Sequence, residues 1–154
     1  MENRDILNVI CMLSQKNKVI TLTVNGFSML PQFHSGEKVS IKKEKEYFLG
    51  DIIAFQYEEE GILLHRIVKV DKNMYFCKGD NSFRLEVVYP SNIIGKTLDE
   101  AERNTVKFRR ILECIKIRLL SVMSYGIGKK FMRSNMNMKV KKCFSYKVYK
   151  FLFL

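Results

Sequence analysis

The spacing of hydrophobic residues changes twice along the chain and divides it into three parts. Residues 4–16 place their apolar side chains on one face, a spacing that predicts a short amphipathic helix. From residue 19 onward, short runs rich in β-branched and aromatic residues predict strands. These runs cover residues 19–24, 38–42, 51–57, 62–70, 74–78 and 92–96. The polar segment 58–61 between two of them predicts a hairpin tip.

A helical period returns after residue 99. Apolar residues recur at helical spacing at Phe108, Ile111, Leu112, Ile115, Leu119 and Val122. Gly126 and Gly128 are predicted to end this helix. The predicted organisation is therefore an N-terminal helix in residues 1–18, a compact, mainly β domain in residues 19–106, and a helical extension in residues 107–154.

The net charge of +11 belongs to the helical extension. Residues 1–106 hold 14 Lys and Arg against 15 Asp and Glu, whereas residues 107–154 hold 13 against the single acid Glu113. A basic amphipathic segment of this kind favours an anionic membrane surface as partner. Nucleic acid is disfavoured because no binding motif accompanies the charge. The alternative is a helix that packs on the β domain and leaves a solvated basic end.

The four cysteines stand far apart, without a pair at metal-ligand spacing. No metal and no other cofactor is therefore expected. The thiols are expected to be reduced and mostly buried, as in a reducing compartment.

The apolar run at residues 6–13 is interrupted by Asn8. It is too short and too polar for the core of a signal peptide or for a membrane span. We therefore expect a cytoplasmic location for the β domain, peripheral to a membrane where the basic extension binds one.

Four short segments carry the candidate chemistry: Gly-Phe-Ser-Met-Leu-Pro at 26–31, Gly-Asp at 50–51, Leu-His-Arg-Ile-Val at 64–68 and Lys-Gly-Asp-Asn at 78–81. A serine is a weak nucleophile unless a neighbouring base takes its proton. Histidine suits that role near neutral pH, since its unperturbed pKa is about 6.5. A carboxylate behind the histidine would fix its tautomer and stabilise the imidazolium. Asp80 and Glu86 are the two candidates.

In this order and at these separations, the segments resemble the signal-peptidase clan of serine peptidases over residues 20–97. His65 is similar to the Ser/His branch of type I signal peptidases, as found in the endoplasmic reticulum and in archaea. The other branch, which includes SOS repressors, carries lysine there. The resemblance implies a signal-peptidase-like fold. It also implies an endopeptidase that cleaves a leader or signal-like peptide or preprotein after small residues, through an acyl-enzyme.

The resemblance also implies roles for individual residues. Ser28 would be the nucleophile and His65 its general base, while Met29 and Pro31 would shape the turn that presents Ser28. The backbone N–H of Ser28 would bind the oxyanion. Some relatives add a serine hydroxyl two positions before the nucleophile, but Gly26 stands there. A side-chain oxyanion donor from that position is therefore absent.

The acid that orients His65 stays open at the level of sequence. In relatives of the Ser/His branch, a second aspartate typically follows six residues after the Gly-Asp aspartate and serves as the acid. Glu86 stands at that position and is one methylene longer, so Asp80 is slightly preferred. Two other classes of function also stay open: a regulatory protein that cleaves itself, and a catalytically inactive binding module on the same fold.

Overall fold

The computed structural model describes residues 3–57, 61–82 and 84–98. In the C-terminal part it describes Leu119, Val122, Met123, Tyr125, Gly126 and Lys129. This described part of the chain is mainly β, which confirms the predicted fold class.

Helix α1 covers Asn3–Gln15 and precedes seven strands. The strands are β1 Ile20–Thr23, β2 Lys38–Lys42, β3 Ile52–Tyr57, β4 Gly61–Asp71, β5 Met74–Lys78, β6 Glu86–Val88 and β7 Ile93–Thr97, with a short 3-10 helix at Pro90–Asn92. They form one antiparallel sheet in the order β1-β2-β7-β3-β4-β5-β6. Helix α1 and six strands lie where the sequence predicts them, within a residue or two. Strand β6 was not predicted.

The sheet carries an apolar cluster on each face. Because successive residues of a strand point to opposite faces, Ile53 and Phe55 of β3 join one cluster while Ala54 joins the other. The neighbouring pair in β7, Ile93 and Ile94, divides in the same way. The strands are therefore largely buried in the middle of the sheet, where the candidate histidine also lies.

Helix α1 covers the face that carries Ala54 and Ile94. Leu7 is buried in that cluster, and Ile10 and Cys11 pack against it. The hydroxyl of Ser14, one residue before the end of the helix, donates to the backbone carbonyl of Ile94. The helix is thus held on the sheet through Leu7 in its N-terminal half and through Ser14 near its C-terminal end.

Strands β4, β5 and β6 form a meander that brings distant residues together. Arg66 of β4 lies opposite Lys78 of β5, and Cys77 of β5 lies opposite Glu86 of β6. At the start of β4, Gly61 pairs with Tyr57, as expected for the predicted hairpin; residues 58–60 lie outside the described residues.

Only part of the predicted C-terminal helix can be compared with the structure. Its six described residues, which include Gly126 and Lys129, are helical. Gly128 lies outside the described residues, so the helix end at Gly126 and Gly128 stays a prediction. The Tyr125 ring meets the Phe76 ring of β5 edge to face, with centroids 5.7 Å apart. The rest of residues 107–154 lies outside the described residues, and binding of this segment to membranes stays a prediction. Within the described residues, no helix has the length and apolar character needed to cross a membrane.

Candidate active site

Ser28 lies in the loop that follows β1. The loop is closed at its base by two backbone hydrogen bonds: Val24 N–H donates to the carbonyl of Glu37, and Gly36 N–H donates to the carbonyl of Val24. Gly26 has φ of 93°, in the left-handed region, where any side chain would be strained. A glycine at position 26 therefore fits the backbone conformation of the loop before Ser28.

The residues that follow Ser28 fix the conformation of the turn. Met29 is fully buried, and its carbonyl accepts a hydrogen bond from Phe33 N–H. Pro31 is exposed and follows a cis peptide bond. Ser28 itself stays half-buried, so that its hydroxyl is supported by the protein and still reachable.

His65 lies in β4 with its imidazole buried against Ser28. Its Nε2 is 3.2 Å from Oγ of Ser28, and its Nδ1 is 3.0 Å from Oε2 of Glu86. The ring of Phe55, from the neighbouring strand β3, packs on the imidazole with its centroid 6.2 Å away. A serine hydroxyl, an imidazole and a carboxylate therefore form one hydrogen-bonded series, as nucleophilic catalysis by serine requires.

Glu86, not Asp80, is the carboxylate beside His65, which reverses the slight preference drawn from the sequence. Glu86 is buried at the first residue of β6, and its Oε2 accepts the Nδ1 hydrogen of His65. Among the described residues its other oxygen, Oε1, has no hydrogen-bond partner. Arg84 Nε lies 3.8 Å from that oxygen, within ion-pair distance. The longer glutamate side chain thus reaches the imidazole from the edge of the sheet.

Asp80 instead forms a buried ion pair with Arg66. The guanidinium donates through Nε and Nη2 to the two carboxylate oxygens, at 2.9 and 2.8 Å. Its Nη1 donates to the carbonyl of Gly50, at 2.9 Å. Such two-point pairing fixes geometry as well as charge. Arg66 therefore ties the Gly-Asp turn before β3 to the loop that follows β5.

The loop after β5 packs directly against the nucleophile. Asn81 N–H donates to the carbonyl of Ser28 at 2.7 Å, and the Asn81 side chain donates to the carbonyl of Phe27 at 3.1 Å. A Cβ atom on Gly79 would lie 2.7 Å from the Ser28 carbonyl oxygen and 3.0 Å from Nε2 of His65. Only glycine allows this close approach, so the Gly79-Asp80-Asn81 tripeptide shapes the site through its backbone.

Lys78 adds a second buried cation beside the two carboxylates. Its side chain is 1% exposed, and its ammonium group donates to the carbonyls of Gly79 and Ser82. Burial lowers its pKa from the ordinary 10.5 to about 8, and the charges of Asp80 and Glu86 act in the opposite direction. With Arg66, the buried group contains two cations and two carboxylates, whose formal charges balance.

The lowered pKa of Lys78 predicts how stability depends on pH. Because the unfolded chain holds this proton more tightly, the free energy of unfolding should rise as pH increases from about 8 to about 10.5, by at most about 1.4 kcal/mol per pH unit. Urea unfolding of wild type and Lys78→Met across this range measures the effect, because other titrating groups cancel in the difference. The free energy of unfolding of wild type minus that of Lys78→Met should increase as pH rises. A difference that stays constant across this pH range would contradict the prediction.

Sequence reasoning missed the parts that Arg66 and Lys78 play. The available signal was charge in an apolar context, since Arg66 lies within, and Lys78 at the end of, runs that are predicted as strands. Among the described cysteines, Cys77 is a buried free thiol and Cys11 a half-buried one; Cys114 and Cys143 lie outside the described residues. The described residues also contain no group of His, Cys, Asp and Glu arranged to hold a metal ion.

An antiparallel sheet that carries this serine, histidine and carboxylate has the architecture of a serine-peptidase-like protein. Residues 3–98, more than half of the chain, match the model of the Peptidase S24-like family. The protein therefore belongs to that family. The family has a serine-peptidase-like fold and also includes regulators that cleave themselves. No curated protein matches the chain.

Proposed function

We propose that the protein is a serine endopeptidase of the signal-peptidase type, which cleaves a leader or signal-like peptide after small residues. The observation that carries the proposal is the buried hydrogen-bonded series of Ser28, His65 and Glu86. Histidine rather than lysine at position 65 supports the Ser/His branch of the clan. The preference for small residues rests on the resemblance to that branch.

In the proposed reaction, Oγ of Ser28 attacks the carbonyl carbon of the scissile peptide bond while Nε2 of His65 takes the hydroxyl proton. Glu86 stabilises the resulting imidazolium through Nδ1. The imidazolium gives its proton to the departing amine, and the acyl group stays on Ser28 as an ester. Water then attacks the ester carbonyl and loses a proton to His65, which returns it to Oγ as the acid product leaves.

The backbone N–H of Ser28 is the proposed donor to the oxyanion. Among the described residues this N–H has no backbone acceptor. A donor placed at the developing oxyanion is worth about 10²–10³-fold in rate in serine proteases.

The surroundings of Ser28 fit an extended peptide. A pocket of about 310 Å³ adjoins Ser28 and is lined by residues of β1 and of the first part of β4. Strand β1 is at one end of the sheet, and within the described residues the segment 61–64 of β4 pairs only with β3. Strand edges bind extended peptides through backbone hydrogen bonds, and an adjacent pocket binds their side chains. Here two strand edges lie beside a pocket that is lined mostly by apolar residues.

The decisive experiment compares new protein N-termini in source cells that carry wild type, Ser28→Ala or Ser91→Ala. Ser91 is exposed in the 3-10 helix after β6 and serves as the matched control. Termini that disappear only with Ser28→Ala, and that share small residues before the cut, would support the proposal and identify the substrate. A folded, expressed Ser28→Ala protein that leaves every terminus unchanged would refute it and favour a binding module.

Self-cleavage is the second candidate function, because the Peptidase S24-like family includes regulators that cleave themselves. Histidine at position 65 counts against it, since the SOS repressors of the clan carry lysine there. Purified protein that shortens itself at a rate independent of its concentration, with Ser28→Ala stable, would favour this function over cleavage of a separate substrate.

A further inference from the structure

The pocket beside Ser28 has one wall that does not come from the sheet. Helix α1 contributes Ile6, Leu7 and Ile10 to its lining, opposite residues of β1 and β4. Met29 lines the pocket next to Ser28. An N-terminal helix is therefore part of the surface that a bound peptide would meet.

Helix α1 is packed firmly on the sheet where it lines the pocket. Leu7 is buried in the cluster on that face of the sheet, and the Ser14 hydroxyl binds the carbonyl of Ile94. Ile6 and Ile10 are one turn apart and face the same side of the helix, with Ile6 exposed and Ile10 half-buried. Isoleucine has few rotamers in a helix, so these two side chains form a stiff surface.

We propose that helix α1 is a specificity element of the peptidase site, in which Ile6 and Ile10 limit the size of the substrate side chain that the pocket accepts. The inference rests on the proposed function and adds to it, because it assigns the size limit to residues outside the sheet. A hydrophobic pocket discriminates between side chains that differ by one methylene by roughly 10–200-fold. Removing the branched side chain of Ile10 should therefore relax the limit measurably.

The test uses a series of short peptide aldehydes that differ only in their terminal side chain: alanine, valine or leucine. A serine hydroxyl adds to such an aldehyde to form a hemiacetal, which reports occupancy of the site without a scissile bond. In calorimetric titration, wild type should bind the alanine aldehyde more tightly than the valine or leucine aldehyde. In Ile10→Ala the ratio of leucine to alanine affinity should rise by about tenfold or more, and in Ile10→Phe it should fall.

Val9→Ala and Met12→Ala are the matched controls, because both residues are exposed on helix α1 outside the pocket lining. Their affinity ratios should equal that of wild type. If folded Ile6→Ala and Ile10→Ala proteins also keep the wild-type ratio, the helix does not set specificity and the inference is wrong. If wild type binds no aldehyde and no terminus depends on Ser28, the proposed function fails and the inference fails with it. Loss of binding in Ser28→Ala shows that the aldehyde is captured at Ser28.

Discussion

Glu86→Gln is expected to lower kcat by about 10⁴-fold, which is the loss that an amide in place of the orienting carboxylate causes in Ser-His-Asp triads. Glu86 accepts the Nδ1 hydrogen of His65 and thereby leaves Nε2 unprotonated toward Ser28. A glutamine can turn its NH₂ group toward Nδ1, which moves the ring proton to Nε2, where it blocks proton removal from Ser28. The measurement is the hydrolysis rate of the peptide that the Ser28→Ala comparison identifies.

Asp80→Asn is the matched control, since it makes the same chemical change in the other buried carboxylate. Asp80 binds Arg66 rather than the imidazole, so the folded Asp80→Asn protein should lose no more than about tenfold in kcat. Circular dichroism and urea unfolding separate loss of folding from loss of catalysis. A folded Asp80→Asn protein that loses more activity than Glu86→Gln would make Asp80 the orienting acid and contradict the assignment.

Much of the sheet could be predicted from local sequence because its strands are short, β-branched runs separated by turns. The predicted bounds of β2 and β5 agree with the structure, and those of β3 and β7 differ by one residue at one or both ends. Helix α1 was also predictable, since its apolar residues repeat at helical spacing. Hydrophobic periodicity and turn residues are sufficient to predict those elements of this chain that have four or more residues.

The acid of the site could not be read from sequence because it depends on strand β6. That strand has three residues, Glu86–Val88, too few for any alternation to be recognised. Its pairing with β5 places Glu86 opposite Cys77, so that strand β5 lies between Glu86 and the strand that carries His65. Asp80 is closer to β5 in sequence, yet its carboxylate binds Arg66 and not the imidazole of His65. The arrangement of strands β4, β5 and β6 in the sheet therefore determines which carboxylate lies beside His65, and separation along the sequence does not.

The buried cations were unpredictable for a different reason. Arg66 and Lys78 carry side chains that are usually solvated. Their burial is tolerated because Arg66 pairs with Asp80, while the ammonium group of Lys78 donates to the carbonyls of Gly79 and Ser82. This arrangement depends on the register between β4 and β5, which pairs Arg66 with Lys78 across the strands. The contribution of α1 to the pocket beside Ser28 likewise depends on how the helix packs on the sheet, which no local sequence pattern encodes.

Arg66→Met is expected to lower the free energy of unfolding by about 3–5 kcal/mol, because it removes the guanidinium that binds both oxygens of the buried Asp80 carboxylate. The double variant Arg66→Met/Asp80→Leu should recover much of this loss, since neither charge remains. Urea unfolding at pH 7 gives both values. Asp71→Ala is the control: it removes an ion pair of similar length, Lys69–Asp71, whose side chains are both exposed, and should change stability far less.

The comparison of single and double variants decides what the Arg66–Asp80 pair does for the site. If the double variant recovers stability, the single-variant loss comes from the buried Asp80 carboxylate that the guanidinium no longer binds. Its activity then shows whether the two-point clamp between Gly50 and the loop after β5 is also needed to hold Gly79 against Ser28. We expect a stable but slower enzyme, since the hydrophobic pair cannot reproduce the directional bonds of the guanidinium. An Arg66→Met protein as stable as the Asp71→Ala protein would contradict the prediction. The loop after β5 would then be stabilised mainly by its backbone hydrogen bonds, such as that from Asn81 N–H to the carbonyl of Ser28.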